Sequence, residues 1–149
     1  MSPVDPTPPP NATNLRVIDE FRNSGGLVAT GGIGRRLILL HHVGRRTGQM
    51  RVTPVSAMPD GDGAWVVVAA PTRAPREPGW AVNIRATPAL YVETESGIVA
   101  VVARELLGTE RSATWEAFQR YMADLGNSEN HPTWPYPLFR LERHAPTAR

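Results

Sequence analysis

Between Arg36 and Ala70 three runs of β-forming residues, "RLILLHHV", "RVTPVSAM" and "AWVVVAA", follow one another with only short glycine-bearing connections. Parallel strands need a crossover of a dozen or more residues, so strands joined this closely must be antiparallel. The first connection carries arginines around Gly44 and Gly48, and the second is the turn "DGDG" at 60–63. Further along, "ALYVETES" and "GIVAVVARELL" form a hairpin around Ser96 and Gly97, and "YPLFRLERH" reads as a closing strand. About six strands in hairpin succession, without βαβ alternation or internal repeats, point to an antiparallel barrel.

The helices are peripheral. From Asn14, a candidate N-cap, Leu15, Ile18 and Phe21 recur at helical spacing until Gly25 and Gly26 stop the pattern. A short helix is expected from near Pro78 to before Pro88, and another from Thr109, where Trp115, Phe118, Met122 and Leu125 share a face. Residues 1–13 are rich in Pro, Thr and Asn, and read as a disordered arm before a single domain over 14–149. A chain of 149 residues buries roughly two thirds of its unfolded surface, enough for one real core.

Composition removes several chemistries. Without cysteine there are no disulfides, thiolate metal sites or cysteine nucleophiles, which fits a cytoplasmic protein. No stretch approaches the ~20 apolar residues of a membrane span, although peripheral membrane association stays open, and the N-terminus lacks the features of a signal peptide. All sixteen basic residues are arginine, and the net charge of +2 matters less than its distribution.

That charge gathers at "VGRRTGQMR", residues 43–51, which holds Arg45, Arg46 and Arg51 and no acid. His41 and His42 are adjacent in a strand, so they face opposite sides and cannot share a metal ion; no metal site is expected. No GxSxG elbow marks a hydrolase, and no interleaving of basic and aromatic residues marks a nucleic-acid surface. Arginine's planar fork suits phosphate and carboxylate oxygens, and glycines at 44 and 48 would let backbone N–H groups approach such an anion. From local residues alone, an anion pocket and a solvated turn are equally open.

The longer pattern is more specific. "VGRRTGQMRVTPV" resembles the GR(K/R)(S/T)GxxRxxPL segment of the deazaflavin-dependent nitroreductase family, actinobacterial oxidoreductases that use 8-hydroxy-5-deazaflavin, coenzyme F420. "VVVAAPTRAPREPGWAVNIRATP" is similar to that family's second segment, with Pro75, Pro78, Trp80, Asn83, Ala86 and Pro88 in register, and "YPLFRL" to its final strand. The resemblance spans about 37–141 and implies a split β-barrel of the flavin-reductase type, mainly β with peripheral helices. It implies that Arg45, Arg46, Thr47, Gly48 and Arg51 hold the coenzyme's phosphate and acidic tail. Thr53, Pro54 and Val55 would line the ring through their backbone, with Ala69 and Ala70 beneath it. Trp80 and Asn83 would brace the pocket.

A deazaflavin is a hydride donor, so the implied substrate is an electron-poor small molecule: an enone, an activated alkene, a quinone or a nitro compound. Tyr136 and Ser56 are the candidate proton sources, and a homodimer is a reasonable expectation for split barrels. The chain departs from the family where Thr72 and Arg73 replace a glycine pair, where Ala70 replaces serine and where Glu77 replaces histidine. Arg73 would add an anion contact or narrow the entrance. The segment over the substrate, here "ADLGNSENHPTWP", has no tyrosine, so the matched part is the cofactor site. FMN is the alternative cofactor, and a non-catalytic barrel that binds a cofactor or hydrophobic ligand is the alternative function.

Overall fold

The computed structural model describes residues 12–70, 77–124 and 136–144. Six strands, β1 (Leu37–Val43), β2 (Met50–Pro59), β3 (Trp65–Val68), β4 (Ala89–Thr94), β5 (Gly97–Glu105) and β6 (Leu138–Arg143), close into a barrel in the order β1-β2-β3-β6-β5-β4. Every pairing is antiparallel, and β4 returns to β1 to complete the ring. Three helices lie around it: α1 (Ala12–Ser24), α2 (Gly79–Ala86) and α3 (Gly108–Asp124).

β1 shows why the barrel needs its helices. Leu37, Ile38, Leu39 and Leu40 are all buried, so both faces of this strand are covered. Ile38 and Leu40 point into the barrel, where they meet Ala57, Val67, Val92, Val101, Phe139 and Leu141. Leu37 and Leu39 point outward beneath Val17, Ile18 and Phe21 of α1. α3 covers another part of the outer surface, packing Phe118 and Met122 on Met58, Val66 and Leu138. α2 belongs to the inner core: its Trp80, Ala81 and Ile84 join the same cluster as Phe139.

α1 begins at Ala12, two residues before the expected cap at Asn14. Alanine and threonine are tolerated in a first turn, and helix starts are set by hydrogen bonding further along the chain, which composition does not display. The rest of the expected arm, 1–11, lies outside the described residues, as do Leu125 and His131.

Glu93 of β4 fastens α1 to the sheet. Arg22 Nη2 donates to Glu93 Oε1 at 2.5 Å and Arg22 Nε to Oε2 at 3.2 Å, while His41 Nε2 lies 2.6 Å from Oε1. These bonds, Arg22's foremost, hold the Glu93 carboxyl below its ordinary 4.5 against the opposing effect of burial. A carboxylate with a lowered folded-state pKa stabilises the fold above its unfolded pKa and loses that contribution as the pH falls. Glu93→Gln is expected to cost about 1 kcal/mol at pH 7. Thermal melts from pH 7 to pH 3 should show the wild-type advantage shrinking below about pH 4.5.

Candidate active site

β2 is unequally paired, and that inequality makes the site. On one side its residues from Met50 to Ser56 match β1 from Val43 back to Leu37. On the other side β3 meets only Ala57, Met58 and Pro59. Among the described residues, 50–56 therefore have an open edge, the split in the barrel. The Ala57 N–H donates to Arg36 O at 2.8 Å, towards β1. By the alternation of an antiparallel strand, the polar groups of Val55 and Thr53 also face β1, while those of Ser56, Pro54 and Val52 face the open side. Pro54 fits this phase because it has no N–H to place.

The backbone groups on this edge are thus those of Met50 and Val52, the Pro54 C=O and the Ser56 N–H, while the Ser56 C=O faces Val68 beside the Ala57–Val67 pair. Thr53 and Val55, expected to line a ring through their backbone, have that backbone committed to β1. All five residues from Val52 to Ser56 are half-buried.

The arginine loop adjoins the N-terminal end of this edge. Its shape is fixed by its own hydrogen bonds: Gly44 N–H to Gln49 O and Gly48 N–H to Gly44 O, each 2.8 Å, and Gln49 N–H to Thr47 Oγ1 at 3.2 Å. The N–H groups of Gly44 and Gly48 therefore serve the loop, so the donors left for an anion are chiefly the guanidinium groups. Gly48 has φ +72, and a Cβ there would meet nothing within 4 Å. Gly48→Ala should cost only the ~1 kcal/mol of a left-handed alanine, read as a small drop in melting temperature without loss of the fold.

Arg45 and Arg46 are exposed, and neither makes an ion pair among the described residues. Elsewhere Arg22, Arg35, Arg85, Arg104 and Arg140 are each matched by a carboxylate. Bonds first from Glu105 and then from Glu77 raise the Arg85 pKa above its ordinary value. Glu77 is tied to Arg85 Nη1 at 2.7 Å, which turns this departure from the family pattern into a structural contact.

A chain of hydrogen bonds, buried at its Asn83–His42 link, ties loop, helix and strand together. The Arg45 N–H and Nη1 both donate to Asn83 Oδ1, at 3.2 and 3.1 Å. Asn83 Nδ2 lies 2.9 Å from His42 Nδ1, and His42 Nε2 lies 2.9 Å from Thr53 Oγ1. Asn83 is 0% exposed and His42 1%. The two histidines do part to opposite faces, His41 outward to Glu93 and His42 inward to this chain. The sequence alone sets His42 on the face opposite His41 and gives it no further role. Its inward phase, shared with Leu40, and the polar Thr53 across from Leu40 in the ladder were the signals available for a more specific role.

Of the other expected residues, Ala69 is buried just past β3 and hydrogen-bonds Pro137 O through its N–H, while Ala70 is exposed. Trp80 is buried 6.1 Å from the Phe139 ring. Tyr136 is buried edge-on to Trp115 of α3, on the outer side of the barrel, and its carbonyl accepts from Arg111 Nη2. Arg73 lies outside the described residues. A cleft of about 690 Å³ along α1, lined by Leu15, Arg16, Asp19 and Leu27, contains none of these groups. The loop and the open edge form the candidate site, because Arg45 and Arg46, without an ion pair among the described residues, and the backbone donors of the edge are there.

Comparison with known proteins gives the family and the fold. A curated F420H(2)-dependent quinone reductase of Mycobacterium tuberculosis is 29% identical over 122 residues, covering 76% of this chain and 81% of that protein. The solved structure of an F420-H2 dependent reductase superposes with a TM-score of 0.55 at 27% identity, over 72% of this chain and 95% of the other. A second structure, described as a domain-swapped dimer, gives 0.56 at 26% identity over 86% and 96%. The family profile described as F420H(2)-dependent quinone reductase matches residues 15–133, and the chain belongs to that family of coenzyme F420-dependent oxidoreductases with the split-barrel fold.

Proposed function

We propose that this chain reduces a quinone with reduced coenzyme F420, holding the coenzyme's anionic part on the arginine loop and its ring along the open edge of β2. The carrying observation is the juxtaposition of the ion-unpaired Arg45 and Arg46 with a strand edge that has no ladder partner among the described residues. When bound, the reduced coenzyme supplies a hydride.

The chain's own residues supply position and environment. Arg45, Arg46 and Arg51, with Thr47 on the same loop, bind phosphate and tail carboxylates through charge-assisted contacts, and Gly48 gives the loop its turn. The Val52 N–H would donate to the ring, and the Pro54 C=O would accept from it, when the coenzyme is held at this edge. Val55 and Ala69, which join the inner core with Trp80, keep water from the ring's inner side.

A quinone that accepts a hydride also needs a proton to become a hydroquinone. Ser56, half-buried on the outer side at the split, is the better placed donor, while the Tyr136 ring is engaged against Trp115. Among the described residues no helix is long and apolar enough to cross a membrane. We place the protein in the cytoplasm, and the domain-swapped relative makes a homodimer the assembly to test first.

Purified protein with reduced coenzyme F420 should restore the absorbance of the oxidised coenzyme when a quinone is added, faster than with an enone or a nitroaromatic. Reduced FMN should support little turnover. Tight binding of F420 with no turnover for any acceptor would instead identify a carrier protein.

A further inference from the structure

The chain of hydrogen bonds from Arg45 to Thr53 has a direction. Arg45 presents two N–H donors to one atom of Asn83, so that atom must be the amide oxygen. The amide nitrogen is then the atom facing His42, and as a donor it requires a bare lone pair on Nδ1. A neutral imidazole with an unprotonated Nδ1 carries its hydrogen on Nε2, which faces Thr53 Oγ1. The threonine oxygen accepts that hydrogen, and its own hydroxyl hydrogen has no acceptor among the described residues. Thr53 is half-buried, next to Pro54 on the strand with the open edge.

We propose that His42 and Asn83 are positioning residues that hold the Thr53 hydroxyl as a hydrogen-bond donor to an oxygen of the bound coenzyme. The proposal rests on the binding mode given above and adds a side-chain contact to it. Arg45 stands at the other end of the same chain, so the loop that binds the anion also sets the donor. If Asn83 were turned over, its NH2 would face the two Arg45 donors, which makes the opposite polarity unfavourable.

The first test needs no coenzyme. Long-range ¹H–¹⁵N correlation spectra of histidine-labelled protein at neutral pH, with His42 identified by its loss in His42→Gln, should show the Nε2–H tautomer. An Nδ1–H tautomer or an imidazolium would overturn the relay. The second test is titration of oxidised coenzyme F420 into wild type, Thr53→Val and Thr53→Ser. Thr53→Val should raise the Kd about tenfold, the value of one good hydrogen bond, and Thr53→Ser should stay within about twofold of wild type.

Parallel titrations with the deazaflavin chromophore lacking phosphate and tail locate the acceptor. A tenfold effect that persists assigns a ring oxygen, and one confined to the complete coenzyme assigns a phosphate oxygen; either supports the donor role. Equal affinities of wild type and Thr53→Val for both ligands would overturn it. Wild type that binds neither ligand would refute the binding mode, and the tautomer would still decide the relay.

Discussion

Replacing Arg46 and Arg51 together with alanine is expected to raise the dissociation constant of coenzyme F420 by roughly two to four decades while leaving the barrel folded. Each arginine supplies a charge-assisted contact of ~1.5 to 3 kcal/mol, and every 1.4 kcal/mol is a factor of ten. Arg46 is exposed, in a loop closed by its own backbone bonds, so its removal leaves no buried group unsatisfied. Arg51 stands opposite His42 in the β1–β2 ladder, which brings it into line with the hydrogen-bonded chain from Arg45. Wild-type affinity should also fall as salt is added, and the double variant should show a shallower dependence because it has fewer charges to screen. A Kd within twofold of wild type, with an unchanged melt, would remove the arginine loop from the binding site.

Asn83→Leu should be the most destabilising single change at the site. The amide is fully buried and makes three hydrogen bonds, two from Arg45 and one to His42. Leucine has similar bulk but strands the Arg45 N–H and the His42 Nδ1. Unsatisfied buried groups cost ~1 to 3 kcal/mol each, so a loss of about 2 to 5 kcal/mol is expected. For a domain of this size that corresponds to a fall of roughly 5 to 15 °C in melting temperature, read by calorimetry. Coenzyme affinity should fall as well, because the loop loses its anchor on α2. Asn83→Leu with wild-type stability would mean that the chain of bonds does little to hold loop and helix together.

Much of the fold can be read from the residues themselves. Short glycine-bearing connections force antiparallel pairing, and the six observed strands fall on the six β-forming runs. Trp115, Phe118 and Met122 place α3 against the sheet through their spacing. The split is harder to see, because it depends on where β3 stops pairing with β2. Hydrophobicity does not distinguish the paired end of β2, Ala57 to Pro59, from the open one. Pro54 is the one hint, since a proline in a β run belongs beside a missing partner.

The site divides in the same way. Charge without an acidic neighbour marks Arg45, Arg46 and Arg51 in the bare sequence. The roles of Gly44 and Gly48 are not visible there, because their N–H groups close the loop on itself. His42 is missed for a plainer reason: its partners stand 41 and 11 residues away, and only the barrel brings Asn83 and Thr53 to its two nitrogens.

Single-turnover mixing of the protein, loaded with reduced coenzyme F420, against a quinone tests the central claim most directly. The oxidised coenzyme's absorbance band should return in one phase, with one hydroquinone formed per coenzyme oxidised, and the phase should slow when C5 carries deuterium. A loaded protein whose absorbance stays flat with quinones and with every other acceptor would contradict the assignment of this barrel as a hydride-transfer enzyme.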